Sequence, residues 1–326
     1  DNILAITFTR KAAAEMRQRI VERLREAGRS SQLDARRWRE LRERLSDIAI
    51  STIDAFCLSL LREFPLEADV DPGFALADET EVPRLMEEAL DRALRISRAH
   101  AREDDEVALV FAQLGERRLR AGLGTLLDRR LVAPGVLRRY LQKGPRELTA
   151  ALVCQNASDR LQRLFADVPG GVDPFLNDGP VHRPAFAMLA GDIRDLCRPG
   201  PEGPTPRFDN RADQAALRGL IDRLRGYFLT RQGGPRKASF AGTGFSADDC
   251  ASAASWKRHR DRAAELAPAL AETVRAFRRD LNVVMSRGVW RIFAVALTTY
   301  QQTLEAHALL DFPGVLEHAI DLLKQM

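Results

Sequence analysis

Residues Leu4–Met16 read LAITFTRKAAAEM, and the change of period inside this stretch decides the fold. Ile3 to Phe8 is apolar and β-branched, which predicts a buried strand of a parallel sheet. From Thr9 onward the pattern is helical, with Ala13, Met16, Ile20, Leu24 and Ala27 on one face. The strand therefore runs into a helix with almost no loop, and Thr9 is placed to cap it. Thr7 and Thr9 put hydroxyls at the carboxyl end of the strand. Arg10 and Lys11 oppose the helix dipole, which favours acids in a first turn. Two readings account for them. They meet an anion such as a phosphate on the free helix N–H groups, or they are solvated charges on an Arg-rich helix.

A second unit of the same kind follows. The first helix ends near Gly28, and a charged helix over Leu33–Leu45 leads to a strand over Asp47–Thr52. Ile48–Ile50 is apolar on both faces, as in a buried parallel strand. Ile53, Phe56, Cys57, Leu60, Leu61 and Phe64 then form one apolar stripe, and Pro65 stops the helix. Ser51 and Asp54 have the spacing of a capping box. Parallel strands bind ligands outside their carboxyl ends, so Thr7–Lys11 and Ser51–Asp54 should share one edge.

The stretch TFTRKAAAEM resembles the TFTNKAAxEM signature of the UvrD/Rep class of superfamily 1 DNA helicases. ISTIDAFCLSLLREFP, Ile50 to Pro65, is similar to the IxTxHSFCxxLLRxFP segment of the AddA and RecB branch. YFLTRQGGPRKASF resembles an LxTxxGxPRK stretch of the AddA-type insertion, and LLDFPGVLEHAIDLL an LDFxDLL segment. The resemblance implies a chain that is mainly α with a small parallel β portion. It would be part of a RecA-like α/β motor domain of the P-loop NTPase class carrying a large helical insertion. The implied domains are 1–79 for the first part of the motor, 80–286 for the insertion, and 287–326 for the return to the motor before Walker B.

The same resemblance assigns the DNA-binding candidates. Thr7, Phe8, Thr9, Arg10 and Lys11 match the first DNA-contacting motif, with Phe8 as the stacking group; the competing reading buries Phe8 in the core. Ser51, Thr52 and Asp54 match the second. Asp54 stands where the family usually has His, and a carboxylate repels phosphate unless a cation such as Arg10 pairs with it. Ala55 stands where the family often has Ser. Arg236 and Lys237 lie in a Gly-rich loop, where they either touch a DNA backbone or are solvated.

Beyond Pro65, Phe74–Ala77 followed by Asp78 and Glu79 invites comparison with a Walker B strand. Asp78 and Glu81 fit a helix cap instead, since an amphipathic helix follows. Helices are predicted over 82–100, 104–114, 117–131, 134–142, 146–166, 183–197, 209–229, 255–286 and 289–310. Val168–Pro206 reads as a surface excursion around a short helix, and Gln232–Phe245 as a Gly-rich loop. Asp311 is placed as the cap of a last helix, with Pro313 in its first turn.

Composition narrows the class. Hydrophobic content of 45% supports a real core, and a net charge of +4 excludes a uniformly basic protein. The basic excess is local, clearest from Arg10 to Arg44, which hints at nucleic acid. Cys57, Cys154, Cys197 and Cys250 form no CxxC pair and read as reduced thiols. No signal peptide and no apolar run long enough for a bilayer is legible, which points to the cytoplasm. His307 and His318 read as structural, and no catalytic residue is assigned.

The sequence holds no GxxxxGK[ST] loop, no Walker B acids and no assignable arginine finger. The chain starts on a strand without an initiator Met, which reads as a fragment of something longer. The expected parent is an ATP-dependent 3′–5′ DNA helicase using ATP and Mg²⁺, acting in double-strand break repair or recombination. The fragment alone should be inactive and bind neither cofactor. The implied partners are single-stranded or partly duplex DNA and a second, AddB-like helicase-nuclease subunit. The alternative is a non-motor helical DNA-binding or partner-docking module. The gene upstream of Asp1 and downstream of Met326 discriminates the two, by presence or absence of the two ATP motifs.

Overall fold

The computed structural model describes residues 4–43, 49–198, 208–237, 240 and 244–325. It is mostly helical, with short parallel strands. The first elements are β1 (Leu4–Thr7), α1 (Arg10–Ala27), α2 (Gln32–Glu43), β2 (Ala49–Thr52), α3 (Ile53–Glu63), β3 (Ala75–Leu76) and α4 (Glu81–His100). Next come α5 (Asp105–Asp128), α6 (Ala133–Lys143), α7 (Ala150–Ala166), α8 (Val172–Asn177), α9 (Pro184–Cys197) and α10 (Arg211–Phe228). The chain closes with α11 (Ala253–Ala306), β4 (Leu309–Leu310) and α12 (Phe312–Gln325). Two compact units emerge. One comprises Asp1–Ala93, Leu123–Pro134 and Val295–Met326, the other Leu94–Gly122 and Gly135–Ala294.

In the first unit, β1 pairs in parallel with β2, and β3 with β4. Its core sets Cys57 and Leu61 of α3 against Val315, Ala319 and Leu322 of α12, with Ala68 and Phe74 between. His318 lies against the backbone, its Nδ1 within 3.0 Å of the Ala68 carbonyl. The helical hairpin of α1 and α2 needs a glycine at position 28. A Cβ there would lie 2.9 Å from the Trp38 Cβ, although Gly28 itself has an ordinary helical φ of −61°. Asp78 is committed to capping α4: its Oδ1 accepts from the Thr80 and Glu81 N–H groups and the Thr80 hydroxyl.

The Arg130–Asp311 ion pair is buried in this unit. The Tyr300 hydroxyl donates to Asp311 Oδ2 at 2.8 Å, and the Gly314 N–H donates to Asp311 Oδ1 at 3.0 Å. Burial, then the Asp311 charge, pushes the Tyr300 phenol above its ordinary value.

The second unit is built on α7, α9, α10 and α11, whose buried faces include Phe165, Ile193, Leu224 and Leu270. An aromatic cluster closes one part of it. His259 stacks on Phe175 with ring centroids 4.5 Å apart, and its edge meets Phe186. The Phe175 carbonyl, 2.8 Å away, can only accept, so His259 Nδ1 carries the proton. Nε2 then accepts from the Tyr227 hydroxyl at 2.7 Å.

That geometry makes a pH prediction. Burial pushes the His259 pKa down from 6.5 to about 4. Between those values the unfolded chain binds a proton that the folded chain refuses, so stability falls as pH drops through this window. The loss should be on the order of 3 kcal/mol at most. Urea titrations at pH 7 and pH 4.5 read it. His259→Gln, which does not titrate, should remove that component, and an unchanged pH slope would rule His259 out as its source.

Several sequence expectations need correction. β1 is not buried: Leu4 and Ile6 are exposed, because among the described residues β2 is its one neighbouring strand and nothing covers that face. Ile3, Asp47 and Ile48 lie outside the described residues. The helices expected over 255–286 and 289–310 are one helix, α11, which runs through both Pro268 and Gly288. Gly288 is there for packing, since a Cβ would collide with the Glu106 backbone. Val168–Pro206 is no surface excursion, because Phe175, Leu176, Phe186, Leu189 and Ile193 are core residues. Residues 199–207 are outside the described set. The Gly-rich stretch after Gln232 contributes the buried Phe240. Finally, α11 holds an 18-residue window with mean hydropathy 1.2, long and apolar enough to cross a bilayer by length and composition alone. Within this helix Ile292, Phe293, Ala296 and Tyr300 are buried against protein.

Candidate nucleic-acid interface

The register of β1 and β2 builds the site. Thr7 pairs with Thr52 and Ile6 with Ser51, so both strands end at one level. Each runs directly into a helix. Thr9 caps α1, its hydroxyl accepting from the Ala12 N–H at 3.1 Å. Thr52 caps α3 in the same way, accepting from the Ala55 N–H at 3.2 Å. The cap is therefore Thr52, not Ser51, because the helix begins one residue later than the capping-box spacing implied. The Thr7 hydroxyl donates to the Thr9 carbonyl at 3.1 Å and stiffens the first junction.

Phe8 stands between the strand and the helix, and 91% of it is exposed. Among the described residues nothing packs over the Phe8 ring, so it is no part of the core they form. Arg10 is exposed. Lys11 is 87% exposed, with Glu15 one turn on at 4.0 Å. Among the described residues no cation pairs with Asp54, so the pairing with Arg10 does not form. Asp54 instead sits in the first turn of α3, where a carboxylate favours the helix dipole. The Cys57 thiol one turn on is raised by burial first and by the Asp54 charge second.

Arg17 is a member of this region that motif matching missed. Its Nη2 donates to the Ile50 carbonyl of β2 at 3.4 Å, tying α1 to the sheet. The signal in the sequence is its place two turns after Arg10 on the same helix. Arg236 and Lys237 belong to the other compact unit. The Arg236 guanidinium donates to the Gly226 carbonyl at 3.1 Å, and its N–H to the Phe228 carbonyl at 3.0 Å. Arg236 is therefore partly committed to its own chain, while Lys237 is exposed.

A family model described as the UvrD/REP helicase N-terminal domain matches residues 1–326. The chain belongs to the UvrD/REP helicase family. This UvrD/REP chain is similar to bacterial proteins named as the AddA-type subunit of an ATP-dependent helicase/nuclease. It is 40% identical over 119 residues to that of Geobacillus thermodenitrificans, covering 36% of the chain and 9% of the relative. It is 46% identical over 93 residues to that of Bacillus pumilus, covering 28% and 7%. It is 30% identical over 221 residues to that of Lactobacillus delbrueckii subsp. bulgaricus, covering 59% and 18%. The UvrD/REP chain thus spans less than a fifth of the length of these curated relatives.

A motor of the UvrD/REP family implies ATP and Mg²⁺, and the residues here do not fit them. The sequence has no Gly-rich loop ending in GK[ST]. Among the described residues no group of three His, Cys, Asp or Glu side chains could hold a metal ion. Asp78, beside Glu79, is taken up by capping. No step of ATP hydrolysis is therefore assigned to this chain.

Proposed function

We propose that this chain is the DNA-tracking part of the first motor domain of an AddA-type, ATP-dependent DNA helicase. The observation that carries this is the Thr7–Thr52 register, which gathers both strand–helix junctions on one edge. Thr7, Phe8, Thr9, Arg10 and Lys11, with Ser51, Thr52 and Asp54, form the face that meets a single strand. A phosphate lies at the N-terminus of α1 beside Arg10, where no carboxylate stands in the first turn, and a base stacks on Phe8. Lys237 and Arg236 supply further backbone contacts. Residues 1–79 and 287–326 belong to the RecA-like motor, and 80–286 to its helical insertion. The open face carrying Leu4 and Ile6 supports this reading, since both faces of a RecA-like parallel sheet are covered by helices.

The complete protein would move 3′ to 5′ along single strands, using ATP and Mg²⁺ held by other segments. It would act in the cytoplasm at double-strand breaks, with an AddB-like partner. The chain by itself is expected to show no DNA-stimulated ATPase. Turnover that co-purifies with it and is absent from a mock preparation would contradict this.

The testing experiment is a salt titration of oligonucleotide binding. Affinity should fall steeply with salt as counterions are released. Arg10→Ala should weaken binding to all sequences alike and flatten the log–log salt slope by about one unit. An unchanged slope and affinity would place the DNA edge elsewhere.

A further inference from the structure

A pocket of about 310 Å³ lies within the second compact unit, lined by residues of α5, α10 and α11. α5 breaks beside it: Gly115 takes φ 69° and ψ 161°, so Gln113 and Leu114 close the first arm of that helix at the pocket. Phe277 and Leu281 supply apolar wall. The polar lining is Gln113, Arg218, Asp222, Arg278 and Asn282.

The charges in this pocket do not balance. Arg278 reaches Asp222 at 3.5 Å, leaving Arg218 as the second cation. Arg218 forms no ion pair among the described residues, and its buried Nη1 finds no protein acceptor. Lost hydration holds its pKa below the ordinary arginine value. The nearby Cys154 thiol is no counterion, since burial pushes its pKa up to about 11 and keeps it neutral. Arg218 is half-buried, and its one buried N–H without a protein acceptor is unfavourable unless water or an anion completes it.

We propose that this pocket binds a phosphate group, with Arg218 and Arg278 as its cations and the amides of Gln113 and Asn282 as further donors. Two guanidinium forks and two amides offer more donors than the two oxygens of a carboxylate accept. They match a phosphate, whose extra oxygens and charge suit arginine forks. The group is either a free phosphate monoester or a phosphodiester of a bound strand. Neither source depends on the edge at Thr7 and Thr52.

The test compares melting temperatures of the whole chain in sodium phosphate and in sodium chloride of equal ionic strength. Phosphate should raise the wild-type midpoint, because a ligand of the folded state stabilises it. Arg218→Met should lose that shift, with phosphate affinity at least about tenfold weaker. Its midpoint in chloride should match or exceed wild type, since Arg218 gives up no protein hydrogen bond. Arg278→Gln, at an exposed position, should also weaken phosphate binding if Arg218→Met does not fold. The phosphate shift should persist in Arg10→Ala. Competition then identifies the source. Displacement by unphosphorylated oligothymidylate supports the phosphodiester, and displacement by thymidine monophosphate alone supports the monoester. Equal phosphate shifts in wild type and both pocket variants would overturn the proposal. So would a folded Arg218→Met that melts lower than wild type in chloride, which would mark a structural arginine.

Discussion

Asp311→Ala is expected to lower the free energy of unfolding by about 3–5 kcal/mol, read by urea titration. Asp311 is 3% exposed and serves three partners: the Arg130 guanidinium, the Tyr300 hydroxyl and the Gly314 N–H at the start of α12. Truncation leaves a buried cation without a counter-charge, a buried hydroxyl without an acceptor and a helix without its cap. The first of these dominates, because an uncompensated buried charge is worth more than either hydrogen bond. The double variant Arg130→Met, Asp311→Asn should therefore be more stable than Asp311→Ala. If it is no more stable, the stranded charge is not the cause. The effect bears on the proposed DNA edge, because α12 packs on α3, whose cap is Thr52.

Phe8→Ala should weaken binding of single-stranded oligonucleotides by about 1–3 kcal/mol, the range for one base stacked on an aromatic ring. The same substitution should shift stability by no more than about 0.5 kcal/mol, because a ring that is 91% exposed has little packing to lose. Binding by fluorescence anisotropy and melting by circular dichroism separate the two quantities. A lowered melting temperature with unchanged binding would return Phe8 to a structural role. An intact melting temperature with unchanged binding would remove stacking from the site. Arg10→Ala and Phe8→Ala act differently, since the first changes the salt slope and the second does not.

The junctions were legible in the sequence because they are local. Thr9 as a cap needs only an N–H three residues away, and Asp78 with Glu81 is the same kind of contact. The end of α3 before Pro65 and the break of α5 at Gly115 likewise follow from nearby residues. The boundary at Ser51 and Thr52 is one residue off, because both side chains can cap and only the start of α3 at Ile53 shows that Thr52 does.

Sequence alone thus determined the two strand–helix units, the predominance of helix and the residues that motif matching brings to the candidate edge. Hydrogen-bond spacing and hydrophobic period operate within a few residues, so they can be read without a partner. Tertiary structure alone decided that Thr7 stands beside Thr52, and that Phe8 is exposed rather than packed. It also decided that Arg130 meets Asp311, 181 residues away, and that among the described residues Arg218 Nη1 is left without an acceptor. Burial and ion pairing depend on what lies across the contact. For Ile6, Phe8, Arg130 and Arg218, that neighbour, or its absence, is set by chain segments far away in sequence.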